Sequence, residues 1–276
     1  MLKQRLITAA VLIPIVIWGI IGLPTMALAL LLALVVLGAA WEWGRLIHLR
    51  TLWARLGYVG LIGLLMLGLA FGLGGENFWS VSVLLIAGVW WLVAMAWVIV
   101  YRGRQQPGHY YAWTGAVIGG VVLVPGWLAL SFVHGQMDHG PSLMLFFMIL
   151  VWTADSGAYF VGRKWGRNKL LPFVSPGKTI EGVVGALVAG ALVAVLGSWT
   201  LGLTLAQGMS FMLICVATVL FSIVGDLLES LFKRRVGVKD SGGLLPGHGG
   251  VLDRIDSITA AAPVFALGLM ASGLAK

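Results

Sequence analysis

Two aspartates interrupt apolar stretches of this sequence, where a carboxylate is costly. The 276 residues include only ten aspartates and glutamates, and Asp155 and Asp226 lie near the ends of two long apolar runs. Since ionised groups are expensive in an apolar environment, such carboxylates are candidates for a functional site, above all for a metal site. The alternative is that each pairs with a nearby arginine and stabilises helix packing.

Residues 229–257 combine charge and glycine in a pattern that suits phosphate chemistry. Glycines let backbone amides approach a phosphate, cationic side chains neutralise it, and carboxylates three residues apart on a helical turn can serve one divalent metal. Asp253 and Asp256 have this spacing, and Lys239 and Arg254 supply charge. The segment therefore predicts a nucleotide and metal site. The alternative is a basic, glycine-rich loop that binds lipid headgroups.

A second segment, Ser175-Pro-Gly-Lys178-Thr179-Ile-Glu-Gly182, also places glycine, lysine and threonine together. It is not a Walker P-loop, because its glycine spacing differs and no parallel-strand unit precedes it. The segment predicts a turn into a helix with Thr179 as the N-cap. Helix N-termini favour anions, so a phosphate contact is compatible with that turn.

One histidine and the single cysteine need separate treatment. His248 lies among glycines of the 229–257 segment, where it either donates to a phosphate, shuttles a proton or makes a structural hydrogen bond. The other histidines lie near the ends of apolar runs without metal-ligand spacing. With Cys215 as its single cysteine, the chain has no internal disulfide and no multi-cysteine metal site, and because Cys215 lies in an apolar run it is interpreted as a packing residue.

The elements that must position these residues are membrane helices. A content of 60% hydrophobic and 10% charged residues with a mean hydropathy of +1.00 does not fit a water-soluble surface. We predict an all-α integral membrane protein of about nine transmembrane helices, with residues 1–140 holding about five spans and residues 141–276 about four. The predicted spans are 6–24, 26–41, 56–73, 80–100, 113–133, 142–161, 183–202, 206–228 and 255–275.

The basic residues predict the orientation of these helices. With the N-terminus inside, all of the 18 lysines and arginines except Lys276 fall in inner segments. Since positively charged loops stay on the cytoplasmic side, the N-terminus is predicted in the cytoplasm and the C-terminus outside. The loops 161–182 and 229–254 are then cytoplasmic, and the active site lies at the cytoplasmic membrane boundary. Cations that punctuate apolar segments also argue against a nucleic-acid binder.

The motifs resemble those of a known family. The stretch from Ser230 to Asp256, with Lys233-Arg234, Lys239-Asp240, Pro246-Gly-His248-Gly-Gly and Asp253-Arg254-Ile-Asp256, closely resembles the signature of phosphatidate cytidylyltransferases, also called CDP-diacylglycerol synthases. The segments Asp155-Ser-Gly-Ala-Tyr159, Ser175 to Gly182 and Gly225-Asp226 are also similar to that family, so the resemblance covers roughly the last 125 residues. Gly177 departs from it where many members carry a second lysine, which removes one cationic contact.

The resemblance implies a multi-span enzyme of a bacterial-type inner membrane that joins CTP to phosphatidic acid with Mg²⁺, giving CDP-diacylglycerol and pyrophosphate. CTP, phosphatidic acid and membrane lipids are the expected partners; nucleic acid is not, and a homodimer is an open expectation. By resemblance and position, the expected metal ligands are Asp226 and Asp253, then Asp256 and Asp155. The expected substrate contacts are Lys178, Lys239 and Arg254, then Arg163 and Ser175, and the expected catalytic residues are Asp226, Asp253, Lys239 and His248.

The implied chemistry is an in-line attack of the lipid phosphate on the α-phosphorus of CTP. That nucleophile is already anionic at neutral pH, so repulsion between anions is the obstacle, and metal, lysine and arginine charge lowers it. One alternative is another membrane nucleotide–lipid phosphotransferase. A second is an ion-coupled transporter with Asp155 and Asp226 as coupling groups, which leaves the 229–257 segment unexplained.

Overall fold

The computed structural model describes residues 13–71, 78–101, 112–244 and 249–274. Over these ranges the chain forms nine helices and one short β-hairpin. The elements are α1 (Ile13–Gly22), α2 (Thr25–Leu46), α3 (Leu52–Ala70), α4 (Phe78–Val100), α5 (Ala112–Gln136), α6 (Gly140–Trp165), β1 (Lys169–Leu171), β2 (Ser175–Thr179), α7 (Ile180–Thr200), α8 (Leu205–Arg235) and α9 (Leu252–Ser272).

Eight of these helices, α2 to α9, are long and apolar enough to cross a bilayer. A span needs about 20 predominantly apolar residues, and these helices have from 19 to 31. The prediction of an all-α integral membrane protein is therefore confirmed. The first predicted span, 6–24, begins outside the described residues, and its described part is α1.

The segment predicted as the loop 161–182 is more ordered than expected. Helix α6 continues to Trp165, and an antiparallel hairpin pairs Lys169 with Thr179 and Leu171 with Ser175 before α7 begins at Ile180. Helix α8 likewise continues to Arg235, into the predicted loop 229–254. The helices thus extend beyond the apolar runs, because a helix can continue with polar residues once it reaches the membrane surface.

Helices α6 and α7 pack closely through small residues. A Cβ added at Gly185 would lie 2.5 Å from the Val161 Cβ and 2.7 Å from the Gly157 carbonyl oxygen. A Cβ at Gly157 would lie 2.8 Å from the Ala189 Cβ. In a bilayer, such small residues let two helix backbones approach and gain van der Waals contact. This contact sets the distance between Asp155 on α6 and the hairpin that leads into α7.

A second close crossing joins α8 to α9. A Cβ at Gly225 would collide with the Asp256 carbonyl oxygen and lie 2.9 Å from the Ala260 Cβ. Further along, a Cβ at Gly268 would lie 2.8 Å from the Ile214 side chain. The crossing at Gly225 places its neighbour Asp226 beside the first turns of α9, which carry Asp253 and Asp256.

The helix ends that carry the cations meet at one end of the bundle. Trp43 of α2 packs on Phe232 of α8 with ring centroids 4.8 Å apart and donates to the Gly115 carbonyl of α5 at 2.9 Å. The Arg235 guanidinium lies 5.1 Å from the Trp97 ring centre of α4. We call this the basic end, formed by the C-terminal ends of α2, α4, α6 and α8 and the N-terminal ends of α3, α5, α7 and α9.

The crossing of α6 and α7 can be tested with glycine-to-alanine variants. Gly185→Ala is expected to lower the free energy of unfolding by about 1–3 kcal/mol, because the new methyl group overpacks the contact with Val161. Gly60→Ala is the matched control, since a Cβ there meets nothing within 4 Å and helix propensity favours alanine. Thermal unfolding in detergent measures both variants. Equal midpoints for the two would contradict the described crossing.

Candidate active site

A cavity of about 400 Å³ opens at the basic end between α6, α7 and α8, with β2 at its rim. Its wall combines polar and apolar groups: Asp155, Ala158, Tyr159, Gly162, Arg163, Gly177, Lys178, Thr179, Gly182, Val183, Ile223 and Asp226. A larger cavity of about 610 Å³ between α3, α4 and α5 is lined by apolar side chains and glycines. Only the smaller one offers carboxylates and cations together, so it is the candidate for chemistry.

An ion pair between Lys178 and Asp226 spans the smaller cavity. The Lys178 Nζ lies 2.8 Å from the Asp226 Oδ2, and the two side chains are 26% and 36% exposed. Asp226 also accepts a hydrogen bond from the Ser230 hydroxyl at 3.2 Å. Because both charged groups remain partly accessible, either can exchange its partner for a bound ligand.

The hairpin that carries Lys178 is held by two residues at the start of α7. The Thr179 hydroxyl accepts from the Gly182 amide at 3.1 Å, so the predicted N-cap is confirmed. The Glu181 carboxylate accepts from the backbone amides of Arg167 and Asn168 and from the Asn168 side chain, at 2.8 to 3.2 Å. These contacts fasten both ends of the hairpin and thereby fix the backbone beneath Lys178.

One face of α6 presents a column of polar side chains to the cavity. Asp155, Tyr159 and Arg163 are spaced four residues apart, so they lie one above another. The Arg163 guanidinium donates to the Tyr159 hydroxyl at 2.7 Å. The column therefore runs from a cation near the end of α6 to a carboxylate two turns deeper along the helix.

A second polar cluster lies beside the cavity, where the end of α8 meets the start of α9. The Lys233 Nζ lies 2.6 Å from both the Glu229 Oε2 and the Asp253 Oδ1. The Asp253 Oδ2 accepts from the Gly250 amide at 2.9 Å and from the amide and hydroxyl of Ser241 at 3.0 and 2.9 Å. Asp253 therefore joins α8, α9 and the segment between them.

Asp256 lies between the cavity and this cluster. Gly225 packs on its backbone, and its carboxyl group is close enough to Asp226 and Lys178 to interact with both electrostatically. Asp256 is only partly buried. Asp226, Asp253 and Asp256 thus lie along the α8–α9 crossing instead of in a single cluster.

Besides Asp253 and Asp256 at the α8–α9 crossing, the expected site residues fall into three groups. Those that line the cavity are Asp155, Arg163, Lys178 and Asp226. Ser175 starts β2 outside the cavity wall, and Lys239 and Arg254 are exposed near the basic end. His248 lies outside the described residues, so its role remains a prediction.

The oxygen atoms that could bind Mg²⁺ come from few side chains. In the described part of the chain, no three histidine, cysteine, aspartate or glutamate side chains converge into a ligand group. Mg²⁺ is commonly held by one or two carboxylates while substrate phosphates and water complete its shell. Asp155 and Asp226 supply such oxygens in the cavity, where Lys178 and Arg163 are also present to meet a phosphate. The residues present therefore fit Mg²⁺ that arrives with a phosphate ligand.

Sequence inspection missed three residues of this region: Glu42, Glu229 and Ser241. Glu42 and Glu229 are almost fully buried, and Ser241 contacts the carboxylates of both Glu42 and Asp253. The scarcity of carboxylates was the signal that could have found the two glutamates, since Glu42 follows an apolar run just as Glu229 does. Ser241 carried no comparable signal.

Comparison with known proteins gives a consistent result. The sequence profile of the cytidylyltransferase family matches residues 3–271. The phosphatidate cytidylyltransferase of Pseudomonas aeruginosa is 44% identical in an alignment that covers 99% of this chain and 98% of the relative. The phosphatidate cytidylyltransferase of Haemophilus influenzae is 40% identical, over 96% of this chain and 97% of the relative. That of Brucella suis is 36% identical, over 96% of this chain and 92% of the relative.

The cluster around Lys233 can be tested by removing its charge. Lys233→Met is expected to lower the free energy of unfolding by about 3–5 kcal/mol, because it leaves the buried Glu229 and the largely buried Asp253 without their shared cation. Lys169→Met, at an exposed position of β1, is the matched control and is expected to unfold like the wild type. Thermal unfolding in detergent compares them. A Lys233→Met protein as stable as the control would contradict this role.

Proposed function

Because the chain belongs to the cytidylyltransferase family, we propose that this membrane enzyme transfers the cytidylyl group of CTP to phosphatidic acid, giving CDP-diacylglycerol and pyrophosphate. The observation that carries the proposal is the cavity at the basic end, where Asp155 and Asp226 face Arg163 and Lys178 beside an apolar wall. A phosphate on a lipid and a phosphate on a soluble nucleotide can both reach such a boundary. A purely aqueous or purely apolar pocket would exclude one of them.

The cations of the cavity are assigned to the phosphates. Lys178 exchanges the Asp226 carboxylate, 2.8 Å away, for a phosphate oxygen when CTP binds. Arg163 contacts a phosphate near the mouth, where its guanidinium now donates to Tyr159. Lys239 and Arg254 are exposed near the basic end and contribute positive charge that attracts the triphosphate.

The apolar part of the wall is assigned to the lipid. Val183 and Ile223 face the same cavity as the charged groups. The glycerol and the first methylenes of phosphatidic acid pack on these side chains, while its phosphate reaches the charged part of the wall. Both reacting phosphates then lie between α6 and α8.

The reaction is a single displacement at phosphorus. An oxygen of the lipid phosphate bonds to the α-phosphorus of CTP, the bond from that phosphorus to the α–β bridging oxygen breaks, and pyrophosphate leaves with the electron pair. The attacking phosphate is already ionised, so no strong general base is needed. Lys178 and Arg163 lower the repulsion between the anions and hold them in line.

Asp155 and Asp226 would hold Mg²⁺ in this cavity, with Asp256 and Asp253 behind them. When bound, Mg²⁺ neutralises phosphate oxygens and stabilises charge on the leaving pyrophosphate. Asp253 keeps the start of α9 in place through Lys233, Ser241 and Gly250. Asp226 serves two purposes, since its ion pair also keeps Lys178 in position before the substrate binds.

The membrane location follows the same proposal. The eight long apolar helices make this an integral membrane protein. We place it in a bacterial-type inner membrane with the basic end facing the cytoplasm, since CTP is cytoplasmic and cations are retained on that side. The N-terminus is then inside and the C-terminus outside. A homodimer stays an expectation.

The function is tested with purified protein, labelled CTP, phosphatidic acid and Mg²⁺. We expect a cytidine-labelled lipid and pyrophosphate in equal amounts, neither of which appears without phosphatidic acid. A product that forms only with another lipid acceptor would favour a different nucleotide–lipid transferase. Ion uptake into vesicles with no labelled lipid would favour the transporter and overturn the proposal.

The assignment of Lys178 is tested by its alanine variant. Lys178→Ala is expected to raise the KM for CTP by roughly 10–100-fold, because a charge-assisted phosphate contact contributes about 1.5–3 kcal/mol. The KM for phosphatidic acid should change less. Lys164→Ala removes an exposed cation stacked on Trp165 outside the cavity and is the matched control. An unchanged CTP dependence in Lys178→Ala would exclude Lys178 from the site.

A further inference from the structure

One buried carboxylate links the N-terminal helices to the segment that precedes α9. Glu42 lies near the C-terminal end of α2 and is only 1% exposed. Its neighbour Trp43 is fixed by Phe232 of α8 and by the Gly115 carbonyl of α5. The backbone that carries Glu42 is therefore held by two other helices.

Glu42 caps a helix that does not cap itself. Helix α9 follows Val251, which offers no side-chain acceptor to the first amides of the helix. The Glu42 Oε2 accepts from the Leu252 amide at 2.9 Å instead. An unpaired amide at a buried helix start is costly, and a carboxylate there also interacts favourably with the helix dipole. The first turn of α9, which carries Asp253, thus depends on a residue of α2.

The same oxygen reaches the segment between α8 and α9. The Ser241 hydroxyl lies 3.2 Å from the Glu42 Oε2 and 2.9 Å from the Asp253 Oδ2. One hydroxyl thus lies between the two carboxylates, and its single proton can be donated to only one of them at a time. A displacement of Glu42 is therefore transmitted to Asp253 through one side chain.

The backbone around Glu42 leaves no room for alternative packing. A Cβ added at Gly242 or at Gly250 would collide with the Glu42 carboxylate. Gly249 has a φ of +81°, in the left-handed region that favours glycine. The carboxylate thus lies in a close-fitting pocket formed by Ser241, Gly242, Gly250 and Leu252.

A role in packing alone does not account for this carboxylate. Burying it costs free energy, and its Oε1 has no hydrogen-bond partner among the described residues. An apolar side chain of similar volume would fill the space without that cost. Only a hydrogen-bond acceptor at this position can bind both the Leu252 amide and the Ser241 hydroxyl.

We propose that Glu42 is a positioning residue for the reaction, which sets the place of Asp253 by holding the Leu252 amide and the Ser241 hydroxyl at once. This inference rests on the proposed function, because it assumes that Asp253 serves the transfer of the cytidylyl group. Glu42 itself does not line the cavity. It acts through the start of α9.

The test compares four full-length proteins: wild type, Glu42→Met, Glu42→Gln and Asp138→Met. Methionine fills the volume but accepts no comparable hydrogen bond, whereas glutamine keeps an oxygen that can accept from both partners. Asp138 is an exposed carboxylate next to α6 at the opposite end of the bundle, so its variant is the matched control. Two measurements are made: amide hydrogen exchange by mass spectrometry, and steady-state kinetics for CTP and phosphatidic acid.

The expected pattern is local and selective. In Glu42→Met, exchange should rise roughly tenfold or more in residues 240–244 and 249–253 but not in the hairpin of β1 and β2, since one buried hydrogen-bond acceptor is lost. The kcat should fall roughly 10–100-fold while both KM values stay within about twofold, because a small misplacement of reacting groups reduces turnover. Glu42→Gln should recover most of both effects, and Asp138→Met should match the wild type.

Several results would overturn the inference. The first is a kcat of Glu42→Met equal to that of Asp138→Met, the second is a rise in exchange that is equal throughout the bundle, and the third is a Glu42→Gln protein with the same kcat and exchange as Glu42→Met.

If Glu42→Met does not fold, Glu42→Asp replaces it, because aspartate keeps the charge but cannot reach both partners. Normal exchange and kcat in Glu42→Asp would then reject the role. If wild type makes no cytidine-linked lipid, the proposed function fails, while the exchange data still test the link from Glu42 to α9.

Discussion

The ammonium group of Lys233 holds together the part of the molecule where α8 ends and α9 begins. It lies 2.6 Å from one carboxylate of each helix, Glu229 and Asp253, in a region with little access to water. Two buried carboxylates without a cation would drive these helix ends apart or draw water between them. With the cation in place, α8 and α9 can cross at Gly225, and that crossing places Asp226 at the cavity.

The N-terminal helices support the proposed site without forming its wall. Helices α2, α4 and α5 bring Trp43 and Trp97 against the end of α8. Glu42 then reaches the segment before α9 from a position 199 residues away from Ser241 in sequence. The cavity belongs to α6, α7, α8 and the hairpin, whereas the geometry of α9 depends on both parts of the chain.

Much of the fold could be predicted from the sequence, because a run of about 20 apolar residues has few alternatives to a spanning helix. The hairpin of β1 and β2 could not be predicted, since Lys169–Leu171 and Ser175–Thr179 are too short for a periodic pattern.

The candidate carboxylates could be identified from the sequence because acidic residues are scarce in it, and Asp155 and Asp226 do line the same cavity. The partners of these carboxylates could not be identified, because the pairing of Lys178 with Asp226 and of Lys233 with Asp253 depends on how the helices cross. Glu42 was missed because its partners are distant in sequence.

The length of α8 ties the proposed site to the lipids around it. Its 31 residues extend about 46 Å, whereas the hydrocarbon core of a bilayer is about 30 Å thick. The helix must therefore tilt or project beyond the core, and the balance shifts with bilayer thickness. Asp226 lies nine residues before the end of this helix, so a change in tilt alters the depth of its carboxylate relative to the phosphate layer. The length of one helix therefore couples the position of a cavity carboxylate to the thickness of the surrounding bilayer.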